Sequence, residues 1–180
     1  MSGILFGVTG SAACFKAVAA CSSLAQAGHR VQAVLTDSAA RLVRPLQFSC
    51  VTGLEAAHDE WQPRDPAGMD HIAMARAADV MVVAPCSADR IGQLAHGLAP
   101  DLLGSLALAF GADKPRLLAP AMNPEMWAHP AVQRNLERLR LDGWQVVGPV
   151  SGGTACGEDG VGRMAEPAEL VAAVDAALAG

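Results

Sequence analysis

"ILFGVTGSAACFKAVAACSSLAQAGHRVQAVL", residues 4–35, sets the fold class of this chain. It begins with a short apolar run, ILFGV (4–8), which is typical of a buried strand. A helical stretch from Ala12 to Ala27 follows and ends at Gly28, and the apolar run RVQAVL (30–35) predicts a second strand. A strand, a helix and a strand in close succession indicate a parallel pair joined by a crossover helix.

The same alternation continues to the end of the chain. Both kinds of element are expected: strands at 79–84, 115–120 and 144–149, and helices at 71–78, 87–96, 101–111, 130–142 and 167–179. Strands that are apolar on both faces belong to a parallel sheet that is covered on both sides. We therefore predict one α/β domain over residues 1–180. Its expected fold is a three-layer Rossmann-like arrangement, with a parallel sheet of five to six strands flanked by helices. Residues 53–70 and 148–166 are expected to be irregular.

Composition excludes several classes of function. Of 180 residues, 52% are hydrophobic and 17% charged, which favours a folded core over disorder. The net charge of -5, without a basic run or aromatic ladder, argues against a nucleic-acid partner. No apolar run is long enough to span a membrane, and the first ten residues lack the basic segment of a signal peptide. We expect a cytoplasmic protein with no membrane partner.

The cysteines and histidines show no metal-ligand spacing. Five cysteines are scattered without a CxxC pair, and the five histidines form no recognisable ligand set. This argues against a disulfide framework and against a zinc site, and it fits a reducing compartment. We therefore expect no metal.

The residues after each predicted strand are small or carry hydroxyl groups. Strand one leads into GVTGSAA (7–13), strand two into TDSA (36–39), strand three into APCSADR (84–90) and strand four into APAMNPEMW (119–127). Ligands bind beyond the carboxyl ends of strands in such sheets, and free N–H groups at helix starts can hold a phosphate. The pattern predicts a nucleotide-like cofactor, although it contains neither a Walker loop nor GxGxxG.

Longer motifs resemble one known family. PAMNPEMW (120–127) fits the Pro-x-Met-Asn-x-x-Met-Trp pattern of the homo-oligomeric flavin-containing cysteine decarboxylases, and APCSADRI (84–91) resembles their Pro-Ala-Ser-Ala-Asn-Thr motif. GVTGSAACFK (7–16) is similar to their first flavin-binding turn, and residues 69–85 to the segment with their active-site histidine. ACGEDGVGRMAEP (155–167) resembles the cysteine clamp of the phosphopantothenoylcysteine decarboxylases, which implies a flexible substrate flap near 148–166.

The resemblance implies FMN as cofactor and oxidative decarboxylation of a terminal cysteine group. It makes His71 the candidate acid/base, and it places Asn123, as carboxylate anchor, and Met126 at the substrate. Met122, Met126 and Trp127 are, however, also residue types typical of packing. The implied flavin contacts lie in the turns after strands one to three: Gly10, Ser11, Ala12, Thr36, Ser38, Ser87, Ala88, Asp89 and Arg90.

Cys156 is a lone thiol in the glycine-rich stretch SGGTACGEDGVGRM (151–164). The resemblance implies that flavin oxidises the substrate cysteine to a thioaldehyde, after which the carboxylate leaves as carbon dioxide. The remaining ene-thiolate must be reduced and protonated at carbon, and a thiol with a reference pKa of about 8.5 can give that proton. The alternative is that Cys156 is an exposed loop thiol. His71 has a plain alternative too, as part of a helix start capped by Asp70.

Two positions depart from the family pattern. Asp89 stands where the family has asparagine, and Arg90 where it has threonine. An ionised carboxylate has no donor and disfavours a nearby phosphate, which Arg90 could offset. Cys86, at an alanine position of the motif, is expected to be a small packing residue.

Several functions stay open on the sequence alone. The substrate is a small molecule or a peptide with a terminal cysteine, and peptide-directed enzymes release the ene-thiol. A non-catalytic regulatory flavoprotein and a flavin prenyltransferase are further alternatives. The resemblance implies a homotrimer or a dodecamer of trimers. We expect these residues to hold the decarboxylase without the ligase domain that is often fused to it in bacteria.

Overall fold

The computed structural model describes residues 1–62, 67, 69–153 and 157–180. A five-stranded parallel sheet lies at its centre, in the order β2-β1-β3-β4-β5. The strands are β1 (Gly3–Val8), β2 (Arg30–Leu35), β3 (Val80–Cys86), β4 (Arg116–Pro120) and β5 (Trp144–Val146). This parallel sheet confirms the predicted fold class.

Helices cover both faces of the sheet. They are α1 (Cys14–Gln26), α2 (Asp37–Leu42), α3 (Pro45–Thr52), α4 (Asp70–Ala77), α5 (Ala88–Ala95), α6 (Leu102–Ala109), α7 (Pro124–Ala128), α8 (Pro130–Leu141) and α9 (Pro167–Ala179). Alternate residues of β1 supply the two cores. Phe6 packs in one with Phe48 of α3, and Leu5 packs in the other with Leu103 of α6. The result is the expected three-layer arrangement.

Several parts of the chain differ from the sequence-based prediction. Residues 148–166 are not irregular throughout, because β6 (Val150–Gly153) pairs antiparallel with β7 (Asp159–Arg163). We call this pair the ribbon. Its many glycines hide the strand pattern, since glycine weakens strand propensity. Helices α2, α3 and α7 also fill stretches to which no element was assigned. Thr36 caps α2 through its side chain, and Pro45 starts α3.

The strand order places a binding crevice between β1 and β3, because connections leave these neighbours in opposite directions. Thr9, just after β1, ties the two strand ends together. Its hydroxyl donates to the Pro85 carbonyl at 2.8 Å and accepts from the Ser87 N–H at 2.9 Å. The loops at this crevice are therefore fixed relative to each other.

In the described part of the chain, no helix is long and apolar enough to cross a membrane. Within the same residues, no cluster of three or more His, Cys, Asp or Glu side chains is arranged to hold a metal ion.

Candidate functional site

The turns after β1, β2 and β3 enclose a cleft of about 390 Å³, which we call the helix-cap cleft. Three helices begin at its wall, each capped by a side chain. Thr36 accepts from the Ala39 N–H, Ser87 from the Arg90 N–H, and Asp101 from the Gly104 N–H. Seven of the predicted flavin contacts line it: Gly10, Thr36, Ser38, Ser87, Ala88, Asp89 and Arg90.

The cleft depends on glycine at position 10. A Cβ placed on Gly10 would lie 2.5 Å from the Cβ of Ser38, which is closer than real contacts allow. Glycine therefore lets the turns after β1 and β2 approach each other. Such a close approach brings the backbone and the hydroxyl groups of both turns to one ligand.

Arg90 is almost fully buried at the wall of the helix-cap cleft, with 3% of its surface exposed. Its Nη2 pairs with Asp101, whose other oxygen caps α6. Arg90 Nε and Nη1 have no hydrogen-bond partner among the described residues, and neither has the buried Oε1 of Gln93, which also lines the cleft. Two donors and an acceptor at this wall are therefore left for another group to satisfy.

Asp89 does not pair with Arg90. Its side chain is exposed and accepts from Nε2 of Gln93, one turn further along α5, at 2.9 Å. The nearby charge that offsets Arg90 is Asp101 instead.

A second cavity of about 530 Å³ lies under the ribbon, and we call it the ribbon cavity. One wall is the first turn of α1 and the loop before it, with Ser11, Ala12 and Lys16; the other is β7 with the turn after β4. This turn meets β7 closely, since the Met122 N–H donates to the Gly162 carbonyl at 3.0 Å.

Asn123 lies in the ribbon cavity and also caps α7. Its Oδ1 accepts from the Met126 N–H at 2.8 Å. This bond sets the orientation of the amide, so Nδ2 is the free end, and it has no hydrogen-bond partner among the described residues. The amide donor that the sequence analysis assigned to a substrate carboxylate is therefore available.

Lys16, Arg163 and Glu166 form a charged cluster beside the ribbon cavity. Lys16 Nζ lies 2.9 Å from the Met164 carbonyl and 3.0 Å from Glu166 Oε1. Arg163 Nη2 binds the same carboxylate oxygen. Hydrogen bonds from Lys16 and then from Arg163 hold the pKa of Glu166 below its usual range. The sequence analysis missed all three residues, because about 150 positions separate the lysine from the other two.

The structure does not bring every predicted residue together. Met126 is 47% exposed and lines the helix-cap cleft, not the ribbon cavity with Asn123. Ser11 and Ala12 line the ribbon cavity, although they were predicted as flavin contacts. Cys156, the predicted proton donor, lies outside the described residues.

His71 lines neither cavity. It is the second residue of α4, and its ring is partly exposed. The alternative for this segment was a helix start capped by Asp70. The capping residue is wrong, because Asp70 is the first helical residue and Met69 occupies the cap position. Since α4 runs antiparallel to the strand that follows it, its first turn lies toward the same sheet edge as the cavities.

Cys86 is a packing residue, as expected. It is fully buried in the core beside α5, and burial raises the pKa of its thiol to about 12 while Arg90 opposes the shift. Cys14 is buried as well, and its thiol donates to the Thr9 carbonyl at 3.3 Å. Neither thiol is a nucleophile at neutral pH.

A parallel sheet with a polar, helix-capped cleft at its switch point defines an α/β protein that binds a nucleotide-like cofactor. A model of the Flavoprotein family matches residues 1–179, and the chain belongs to this family.

Two relatives indicate a narrower class of protein within this family. The chain is 42% identical to the coenzyme A biosynthesis bifunctional protein CoaBC of Bacillus subtilis over 168 residues, which are 93% of this chain and 41% of that protein. The chain thus spans about two fifths of that relative. It is 34% identical to a probable phosphopantothenoylcysteine decarboxylase of Streptococcus mutans, over 91% of both chains.

Two similar solved structures are also decarboxylases. A mutant phosphopantothenoylcysteine decarboxylase, in which serine replaces a cysteine, is complexed with pantothenoylaminoethenethiol; it has a TM-score of 0.87 and 32% identity, over 97% of both chains. The FMN-dependent cysteine decarboxylase SpaF has a TM-score of 0.84 and 30% identity, over 99% of this chain and 96% of its own.

Proposed function

We propose that this protein uses FMN to decarboxylate the cysteine moiety of 4'-phosphopantothenoylcysteine, giving 4'-phosphopantetheine for coenzyme A synthesis. One observation carries the proposal: a cleft that fits a phosphorylated flavin lies next to a cavity with an amide donor and two cations. The relatives and neighbours named above support the same reaction. The compartment we propose is the cytoplasm.

The helix-cap cleft fits FMN by the chemistry of its wall. The capped helix starts and the close turns at Gly10 and Ser38 offer backbone and hydroxyl groups to a phosphate. The unpartnered donors of Arg90 and the unpartnered acceptor of Gln93 match a ligand that carries both phosphate oxygens and hydroxyl groups. When bound, FMN supplies the two-electron oxidation and reduction that the reaction needs.

The chain's own residues bind and orient the substrate. Asn123 Nδ2 holds the carboxylate until carbon dioxide leaves. Lys16 and Arg163, paired with the single carboxylate of Glu166, leave one net positive charge at the ribbon cavity, which favours a substrate with a phosphate over a peptide without one. His71 is the proposed acid/base in the oxidation, and Cys156 the proposed proton donor to the ene-thiolate.

Substrate competition tests the proposal. Turnover should be fastest with 4'-phosphopantothenoylcysteine, slower with the same molecule lacking its phosphate, and slowest with a peptide that ends in cysteine. Mass spectrometry of each product gives the ranking. A preference for the peptide, with the ene-thiol as final product, would favour the peptide-directed alternative instead.

FMN should bind more tightly than riboflavin, and Arg90 should carry part of the difference. Arg90→Gln is expected to raise the Kd of FMN about 10-fold or more, because a charge-assisted hydrogen bond to phosphate is lost. The Kd of riboflavin, which has no phosphate, should change little. Quenching of flavin fluorescence measures both, and Arg140→Gln, at an exposed position of α8, controls for net charge. An equal loss for both flavins would show that Arg90 only supports the fold.

We also propose a trimer in which His71 acts in the site of a neighbouring copy. His71 lines neither cavity of its own chain. Large apolar side chains are exposed on the elements near its end of the sheet, including Leu46, Trp61 and Met69. A monomer would leave this surface in water, whereas a copy packed on it would bury it and could bring His71 to the neighbouring site.

Mixed assemblies test the shared site. His71→Gln and Asn123→Asp should each be inactive alone. Co-expressed, they should regain about a quarter of wild-type activity, because in a ring of three copies that fraction of sites pairs an intact His71 with an intact Asn123. A mixture as inactive as its parents, or a fully active monomer in sedimentation, contradicts the shared site.

A further inference from the structure

Glu166 joins three elements at the base of the ribbon. Its carboxylate oxygen accepts from Lys16 of α1 at 3.0 Å and from Arg163 at the end of β7. Lys16 also donates to the carbonyl of Met164, between β7 and α9. One carboxylate therefore connects β7 to the helix that forms the opposite wall of the ribbon cavity.

We propose that Glu166 is a positioning residue: through Lys16 and Arg163 it fixes β7 as a wall of the ribbon cavity, against the turn that carries Asn123. The kinetic part of this inference rests on the proposed function. The structural part does not, because it concerns the ribbon in the absence of substrate.

The charge of Glu166 matters because Lys16 is buried. Only 8% of the Lys16 side chain is exposed, and a buried ammonium group is costly unless it is paired. Glu166 and the Met164 carbonyl satisfy two of its three donors. Glu166 stays ionised at neutral pH, since both cations lower its pKa.

The position of β7 matters because this strand packs tightly against the turn that carries Asn123. A Cβ on Gly162 would lie 2.4 Å from the Met122 carbonyl oxygen, and one on Gly160 would lie 2.7 Å from Pro124 Cγ. Backbone therefore packs directly on backbone and ring here. A small displacement of β7 would change the shape of the cavity beside Asn123.

Glu166 has a second, separable role as the cap of α9. It forms a capping box with Glu169, whose side chain accepts from the Glu166 N–H at 2.8 Å. Glu166→Gln keeps an oxygen that can cap the helix but removes the charge that binds both cations. Glu169→Ala removes the oxygen that accepts from the Glu166 N–H, so it breaks the box and leaves the two ion pairs intact. The two variants distinguish positioning from capping.

Hydrogen exchange of the FMN-loaded protein without substrate measures the positioning. In Glu166→Gln, the amides of β6 and β7 should exchange about 10-fold faster than in wild type, because a local opening loses charge-assisted bonds. Glu169→Ala should leave ribbon exchange unchanged. In turnover, Glu166→Gln should raise KM about 10-fold with kcat changed less than about 2-fold, because a displaced β7 binds the substrate less well and leaves the reacting groups unchanged. The Kd of FMN should not change.

If Glu166→Gln does not fold, Arg163→Gln tests the same proposal. It removes one of the two ion pairs while α9 keeps its cap, so a smaller increase in ribbon exchange and in KM is expected. Unchanged ribbon exchange in the folded variants overturns the proposal. So does an equal effect of Glu166→Gln and Glu169→Ala, which would leave Glu166 as a helix cap alone. A failure of the decarboxylase assay with faster ribbon exchange would instead count against the proposed function.

Discussion

Asn123→Asp is expected to lower carbon dioxide release at least about 100-fold while FMN stays bound, because a donor to the substrate carboxylate becomes a repelling charge. Asn123 Oδ1 caps α7, and aspartate provides the same capping oxygen. The substitution therefore removes the amide donor with little change in the local backbone. Single-turnover release of carbon dioxide and flavin fluorescence measure the two effects separately.

Asn123→Ala provides the comparison. It loses both the donor and the cap, so it should lower the free energy of unfolding by about 1 kcal/mol, whereas Asn123→Asp should unfold at nearly the wild-type temperature. If Asn123→Asp keeps its activity and Asn123→Ala loses it, the role of Asn123 is to cap α7 and not to bind the substrate.

Cys156→Ser is expected to divide the reaction into its two halves. The variant should still release carbon dioxide in a single turnover, because Cys156 is proposed to act afterwards. A serine hydroxyl is far less acidic than a thiol, so protonation of the ene-thiolate should fail. The ene-thiol, lighter than the normal product by two hydrogen atoms, should accumulate while the flavin absorbance remains bleached.

Cys50→Ser is the matched control, since Cys50 is an exposed thiol on α3 and lines neither cavity. It should behave as wild type. If Cys156→Ser forms the normal product, Cys156 is a loop thiol without a chemical role. If it loses both halves of the reaction, the residue is needed before carbon dioxide leaves.

The fold was predictable because the signals that specify it are local. Runs such as ILFGV and VMVVA are apolar on both faces and are separated by helical stretches, and this pattern is typical of a covered parallel sheet. The ribbon was not predictable in the same way. Its strands are rich in glycine, and they are specified by pairing and by contact with the Asn123 turn.

The helix-cap cleft was largely predictable, since threonine or serine after an apolar strand predicts a capped helix start at the sheet edge. Thr9 also carries a hydroxyl group and directly follows β1, so the same rule predicts it as a residue of this site. Lys16 and Glu166 gave no such signal. A lysine on a helix is usually solvated, and only the folded chain shows that it is buried against a carboxylate 150 residues away.

The mass of the product formed by FMN-loaded protein from 4'-phosphopantothenoylcysteine tests the proposed reaction most directly. The expected product is 4'-phosphopantetheine, lighter than the substrate by one carbon dioxide and otherwise unchanged, and its formation should require added FMN when the protein is stripped of flavin. Unchanged substrate after incubation with protein that holds FMN would contradict the proposed function.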